Sequence, residues 1–307
     1  MDLAMWISVF RASIALGTPI LFAGLGEILS QRSGVMNLGI EGMMLVGAVS
    51  GFVTTLHTGS LWMGVLVALL AGALMGAIHA CLTVSLRANQ IVSGLALTIF
   101  GLGMSGYIGK PIIGIRATQV FRPIRLGILA EIPVLGPVLF HQDLLVYISF
   151  VLAPLLFLFI RYTRQGLHLR AVGENPASAD AMGVRVNLTR YVYVTLGGAL
   201  AGLGGAYLSL AYAPTWLDNM TAGRGWIAFA LVILSLWNPL IAMAGAYFFG
   251  GIDALGMRLQ ATGTALPTFL LSMMPYLLTV AALTAFTNKK TRSLGPSSLG
   301  VGYSREE

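Results

Sequence analysis

The chain has 307 residues, of which 57% are hydrophobic and 9% are charged, and its mean hydropathy is +0.84. Because an ordinary soluble domain carries about 25% charged residues, this composition excludes a soluble globular protein and predicts one polytopic membrane domain over residues 1–307. The net charge of +7 resides mainly in loops between apolar stretches. Membrane topology and contact with anionic lipid explain such a charge, so no nucleic-acid partner is expected.

Apolar segments follow one another along the chain and predict an all-α transmembrane bundle of about nine spans, within a range of roughly eight to ten. A span needs about 20 residues, so the short seventh segment indicates a half-helix. The segments cover approximately residues 6–28, 37–56, 61–86, 91–108, 143–160, 191–212, 225–237, 239–257 and 266–286.

The polar stretch 161–190 determines the expected orientation. It carries five arginines, and short loops rich in Arg or Lys stay on the cytoplasmic side. The predicted spans then place the N-terminus outside and the tail, residues 287–307, in the cytoplasm. The first residues contain an acid and no basic region, so no cleavable signal peptide is expected.

A short capped helix is predicted within this stretch. Asn175 can cap a helix whose first residue is Pro176, and Gly183 can adopt the left-handed conformation that ends it. Two interpretations remain open. The helix is either a solvated connector or a docking element for a cytoplasmic partner, and its small side chains would let a groove approach closely.

Two segments, 34–42 and 221–226, predict broken helices, because each places glycine and polar residues before an apolar run. Non-helical backbone at membrane depth must line a cavity or be buried in protein, so such breaks point to a transport path. Close helix packing through glycine is the alternative, and it also explains the small residues of 197–205. The candidate path residues are Asn37, Glu41, Gly223, Gly225 and Trp226.

Ionisable groups inside spans are functional candidates. Glu27 lies near the inner end of the first span, where it can snorkel, so a structural role is expected. Glu41 is expected either to hydrogen-bond the broken backbone at 37–39 or to serve the path. Asp253 and Arg11 are expected to neutralise each other.

Several kinds of chemistry are not supported by the sequence. The motif G-x-x-x-x-G-K-[ST] is absent, so the chain cannot bind ATP through a phosphate loop. The single cysteine, Cys81, forms no disulfide framework, and no Cys/His cluster suits zinc, so neither metal nor cofactor is predicted. A G-x-S-G context at Ser105 resembles that of intramembrane serine proteases, but His141 and His168 lie in or beside loops, which disfavours a protease.

Three segments together resemble one family. They are GLGEILSQRSGVMNLGIEGMMLVGA (24–48), GLHLRAVGENPASADAMGV (166–184) and GRGWIAFALVILSLWNPLIAMAGAYFFGGIDAL (223–255). They resemble the inner-membrane permease subunits of ABC importers, in the branch for simple sugars, branched-chain amino acids and nucleosides. The length and the SGVMNLGIEG wording are most similar to the smaller permease of nucleoside-type systems. Ser235 departs from the pattern, which has glycine before the Trp-containing turn.

The resemblance implies a transport subunit that is not itself an enzyme. It implies a path for a nucleoside or simple sugar, delivered by an extracytoplasmic binding protein and driven by a separate cytoplasmic ATPase. A second permease, a larger paralogue, and a bacterial inner-membrane location are implied as well. The alternative is an ion-coupled secondary transporter using Glu41 and Asp253. The implied ATPase-coupling residues are Glu174, Asn175, Pro176, Ala177, Ser178, Asp180 and Gly183.

Overall fold

A computed structural model describes residues 3–117, 119–125, 127–261, 267–286 and 295–304. Most of the predicted tail, including Lys289, Lys290, Arg292 and Arg305, lies outside these residues. The helices are α1 (Leu3–Arg32), α2 (Ile40–Thr58), α3 (Leu61–Ala80), α4 (Gln90–Gly109), α5 (Leu135–Leu139), α6 (Leu144–Tyr162), α7 (Arg164–Glu174), α8 (Pro176–Ala181), α9 (Val186–Tyr207), α10 (Arg224–Leu234), α11 (Pro239–Ala261) and α12 (Thr268–Phe286). A short antiparallel pair joins β1 (Ile124–Arg125) to β2 (His141–Gln142).

The all-α bundle is confirmed, and each predicted apolar segment corresponds to a helix. Within the described residues, seven helices are long and apolar enough to cross a membrane. They include α3 and α9, which continue as π-helical turns over Cys81–Ser85 and Leu208–Tyr212. Helix α10 has 11 residues, or about 16 Å at 1.5 Å per residue, which is roughly half of a ~30 Å hydrocarbon core. The predicted half-helix is therefore present.

Helix α9 occupies the centre of the bundle, between α1, α2 and α3. A methyl group at Gly198 or Gly202 would overlap backbone atoms of α3, and one at Gly205 would overlap the carbonyl of Met44 in α2. Small residues let helix backbones approach this closely in membranes. The packing interpretation of residues 197–205 is thus confirmed for these glycines.

The surfaces of the helices differ in how far the chain covers them. Helix α1 is almost wholly buried, and α2 and α9 are largely buried. In α4, α6 and α11 only a minority of residues are buried, and each helix exposes large apolar side chains, among them Ile99, Leu155 and Phe248. These three helices therefore present hydrocarbon side chains to lipid or to another membrane chain.

The polar stretch is shorter than predicted, because α9 begins at Val186 and includes Arg190. Arg190 is only 1% exposed. Its guanidinium donates from Nε to the carbonyl of Ser33 and from Nη1 to that of Val301. Treating Arg190 as a loop charge was therefore wrong: it joins the end of α1 to the C-terminal segment 295–304.

Candidate functional site

The side chain of Glu41 connects the two broken segments. Glu41 lies in the first turn of α2 and is 4% exposed. Its Oε1 accepts hydrogen bonds from the Thr221 hydroxyl and from the backbone N–H of Gly223 at 2.8 Å, and its Oε2 accepts from the N–H of Gly225 at 2.6 Å. Of the two roles expected for Glu41, binding to the backbone at 37–39 was wrong, because its carboxylate instead binds a segment about 180 residues away.

The start of α10 explains why a carboxylate is held there. The N-cap residue Gly223 has φ +80° and supplies no side-chain cap. The first N–H groups of a helix have no partner within the helix, and the helix dipole favours a negative charge beside them. Glu41 supplies both the acceptor and the charge. A Cβ at Gly225 would lie 2.7 Å from the Cα of Glu41, so glycine permits this approach.

Glu27 stabilises the first broken segment, 34–42 (the first break), by accepting a backbone hydrogen bond, which is the role that one interpretation gave to Glu41. It is 1% exposed, so it does not snorkel. Its Oε1 accepts from the N–H of Asn37 at 3.1 Å and from Nε2 of Gln31 at 2.8 Å. Asn37 in turn accepts the N–H of Gly39 through Oδ1 at 2.9 Å. The structural role predicted for Glu27 is therefore confirmed, but its buried position corrects the reason.

Two residues that the sequence did not single out also bind this break. The N–H of Met36 donates to Oε1 of Gln90 at 2.7 Å, and its carbonyl lies 3.0 Å from Nε2 of the buried His79. His79 belongs to the predicted apolar span 61–86, whereas Gln90 belongs to the polar link between the predicted spans 61–86 and 91–108. The sequence shows both residues to be polar, but it does not reveal their partners.

A cavity of about 300 Å³ with both polar and apolar lining residues lies beside the second broken segment, 221–226 (the second break). Arg224 and Asp253 line it and form an ion pair at 3.6 Å, with side chains 12% and 19% exposed. Tyr276 lines it too and donates its hydroxyl to the carbonyl of Ala222 at 2.6 Å. The predicted pairing of Asp253 with Arg11 was wrong: Arg11 lines a different cavity.

The candidate path residues therefore fall into two groups. Glu41, Gly223 and Gly225 meet at the second break, whereas Asn37 belongs to the Glu27 network. Trp226 is partly buried and is not among the residues that line the 300 Å³ cavity.

The hydroxyl of Ser105 does not support a nucleophile. It donates to the carbonyl of Leu102 in its own helix at 3.1 Å, and Ser105 is 1% exposed. A catalytic serine needs a base within hydrogen-bond reach. In the described residues the hydroxyl has a carbonyl partner and no histidine, which argues against the protease interpretation.

The predicted capped helix is present as α8. Oδ1 of Asn175 accepts the N–H of Ser178 at 3.0 Å, Pro176 is the first helical residue, and Gly183 has φ +84°. Ala177, Ser178 and Met182 are exposed, while Ala179 packs into a small core with Val172 and Val186. The helix therefore has one anchored side and one free side.

Two of the predicted coupling residues face the C-terminal segment 295–304. Glu174 accepts the hydroxyl of Ser297 at 2.8 Å, and Asp180 accepts the hydroxyl of Tyr303 at 3.0 Å. The same segment reaches the first break, where the N–H of Gly300 donates to the carbonyl of Gly34 at 3.2 Å. This link between α8 and the break was not predicted.

Comparison with known proteins identifies relatives along nearly the whole chain. The protein named "Putative glucose ABC transporter permease protein TsgC13" of Haloferax volcanii is 39% identical, over 97% of this chain and 98% of its own length. Guanosine ABC transporter permease protein NupQ of Bacillus subtilis is 35% identical, over 99% and 98%. A second guanosine permease of that species, NupP, is 24% identical, over 84% and 78%.

The fold also has a solved counterpart. A chain of a metal-chelate-type ABC transporter in an inward-facing conformation matches with a TM-score of 0.54 at 14% identity, over 91% of this chain and 85% of that one.

Residues 10–283 match the family described as the permease component of the branched-chain amino acid transport system. The chain therefore belongs to this family of ABC transporter permeases.

Proposed function

We propose that this permease forms, together with a second and different permease chain, the path by which an ATP-driven importer moves a nucleoside or a simple sugar. The names of TsgC13 and NupQ support this substrate class. The presence of both NupQ and NupP as guanosine permeases in one species supports a pair of unlike chains. This chain resembles NupQ more than NupP.

The observation that carries the proposal is the set of hydrogen bonds from Thr221, Gly223 and Gly225 to Glu41, which we call the Glu41 joint. It holds two broken segments together at the start of a half-helix, and such breaks are tolerated at membrane depth where they line a cavity. The adjoining cavity contains an ion pair that is already neutralised, with Tyr276 and Gln260 on its wall. A neutral, hydroxyl-rich solute suits such a cavity, because it adds hydrogen bonds without adding charge.

The energy for transport would come from a cytoplasmic ATPase docked on the free side of α8. A binding protein on the other side of the membrane would deliver the substrate. Motion of α8 would reach the first break through the segment 295–304, which contacts both. In this proposal the protein lies in the inner (plasma) membrane, and its C-terminus is on the cytoplasmic side with the ATPase.

The ion-coupled alternative is weakened by the partners of the two acids. Both carboxylate oxygens of Glu41 accept hydrogen bonds from the second break, and Asp253 is paired with Arg224. An acid that binds a coupling ion must exchange its partners during transport. In this conformation each acid already has a partner within the protein.

The subunit composition is tested by gentle affinity purification from the native membrane, followed by mass spectrometry. We expect an ATPase that carries a phosphate-loop motif and a second permease to accompany the chain. A chain that is purified alone and remains stable would contradict the proposal.

Replacing Gly183 by valine tests the coupling role of α8. Open space surrounds Gly183, so the substitution acts only through its φ of +84°, which costs a β-branched residue about 1–2 kcal/mol. We expect slower ATP-driven uptake with normal membrane insertion. Gly183→Asn is the matched control, because Asn tolerates the left-handed region. Uptake at the wild-type rate in the valine variant would contradict the proposal that the C-terminal end of α8 couples ATP hydrolysis to transport.

A further inference from the structure

A second cavity, of about 590 Å³, lies at the opposite end of α10 from the Glu41 joint. It is formed where α1 and α6 end and α11 begins, with α7 along one side. Three arginines line it: Arg32, Arg161 and Arg170. Three guanidinium groups around one cavity form a strong local positive potential.

The arginines are incompletely paired. The Nε atoms of Arg32 and Arg170 are buried, and neither has a hydrogen-bond partner within the described residues. Arg32 contacts the carbonyls of Leu236 and Trp237 only at 3.5 Å. Buried donors of this kind are costly without an acceptor, so the cavity is suited to a ligand with several acceptor oxygens.

Among the described residues, no acidic side chain forms an ion pair with these arginines. Glu174 lies within electrostatic range of Arg32, but its carboxylate accepts hydrogen bonds from Ser297. The guanidinium of Arg161 lies 5.9 Å from the ring centres of both Phe157 and Tyr162. Arg161 is exposed, so its guanidinium can meet an incoming anion.

The apolar part of the lining indicates the source of the anion. Phe157, Ile160 and Ile241 line the cavity beside the arginines. They belong to α6 and α11, whose outer surfaces are largely uncovered: Leu158 is 51% exposed and Ile241 is 47% exposed. A molecule with a phosphate and hydrocarbon chains can contact both the arginines and the apolar side chains of the lining. A free anion can contact only the arginines.

We infer that this cavity binds the phosphate of an anionic phospholipid headgroup, with the acyl chains lying against α6 and α11. Basic cavities between membrane helices are suited to such headgroups. The volume is within the range of about 300–1,000 Å³ that is typical of ligand sites. The lipid would connect α6 and α11 with α7, which leads into α8.

The test is native mass spectrometry of the full chain, purified with its accompanying subunits, in the presence of phosphatidylglycerol or phosphatidylcholine with identical acyl chains. We expect phosphatidylglycerol to bind with roughly tenfold or greater preference, since each arginine near an anionic headgroup strengthens binding several-fold. The double variant Arg161→Gln/Arg170→Gln should lose this preference. The matched control is Arg164→Gln/Arg185→Gln, which removes two exposed arginines of the same region that do not line the cavity.

Several outcomes would overturn the assignment. Equal loss of preference in both double variants would show attraction to general surface charge. Survival of the preference in Arg161→Gln/Arg170→Gln would place the lipid elsewhere. Inorganic phosphate that binds and is not displaced by phosphatidylglycerol would make this a site for free anions. Lipid binding only after the ATPase is removed would show that the ATPase covers the cavity.

Discussion

Replacement of Glu41 by glutamine is expected to separate the two broken segments and to stop transport. The carboxylate accepts three hydrogen bonds, from Thr221, Gly223 and Gly225. Hydrogen bonds to a charged group are worth about 1.5–3 kcal/mol each, and the amide of glutamine would direct a donor at a backbone donor. We expect roughly 3 kcal/mol less stability, measured as the free energy of unfolding, and uptake reduced to the background rate.

The matched control is Glu131→Gln, which removes the same charge from an exposed loop residue. That variant should fold and transport like the wild type. If Glu41→Gln also retains its stability and its uptake, the joint does not hold the two breaks together.

A double-mutant cycle should show strong coupling between Arg224 and Asp253. Either single variant, Arg224→Gln or Asp253→Asn, leaves a largely buried charge without its partner, which costs about 3–5 kcal/mol. The double variant should be more stable than the sum of the single effects predicts, by about 1–3 kcal/mol. The measurement is the free energy of unfolding of the four proteins.

The chain offers a matched control for this cycle. Arg11 was the partner expected from the sequence, and it lines a different cavity. The cycle between Arg11→Gln and Asp253→Asn should therefore be additive. Coupling in that cycle and none in the Arg224 cycle would reverse the assignment of the ion pair.

The features that could be predicted from the sequence are those set by local pattern. Apolar segments of sufficient length predicted the helices, and the short segment before Trp237 predicted the half-helix. Asn175, Pro176 and Gly183 predicted α8 and its ends, because caps depend on a few neighbouring residues. The small residues of 197–205 predicted close packing, although not which helices would supply the contacts.

The features that could not be predicted depend on distant partners. Glu27 precedes the first break and Glu41 lies near its end, and only the packing of α10 against α2 brings Gly223 and Gly225 to Glu41. Arg190 resembles a loop charge in sequence, but acceptors on Ser33 and Val301 allow it to be buried. The pairings of Glu41 and Arg190 join residues more than 100 positions apart, for which a single sequence contains no pattern.

The most direct measurement is uptake of a radiolabelled nucleoside or simple sugar into proteoliposomes containing the chain, its co-purified ATPase, second permease and binding protein. We predict uptake that requires ATP on the ATPase side, is lost in Glu41→Gln, and is unaffected by collapse of ion gradients. Uptake by this chain alone, driven by an ion gradient without ATP, would contradict the account.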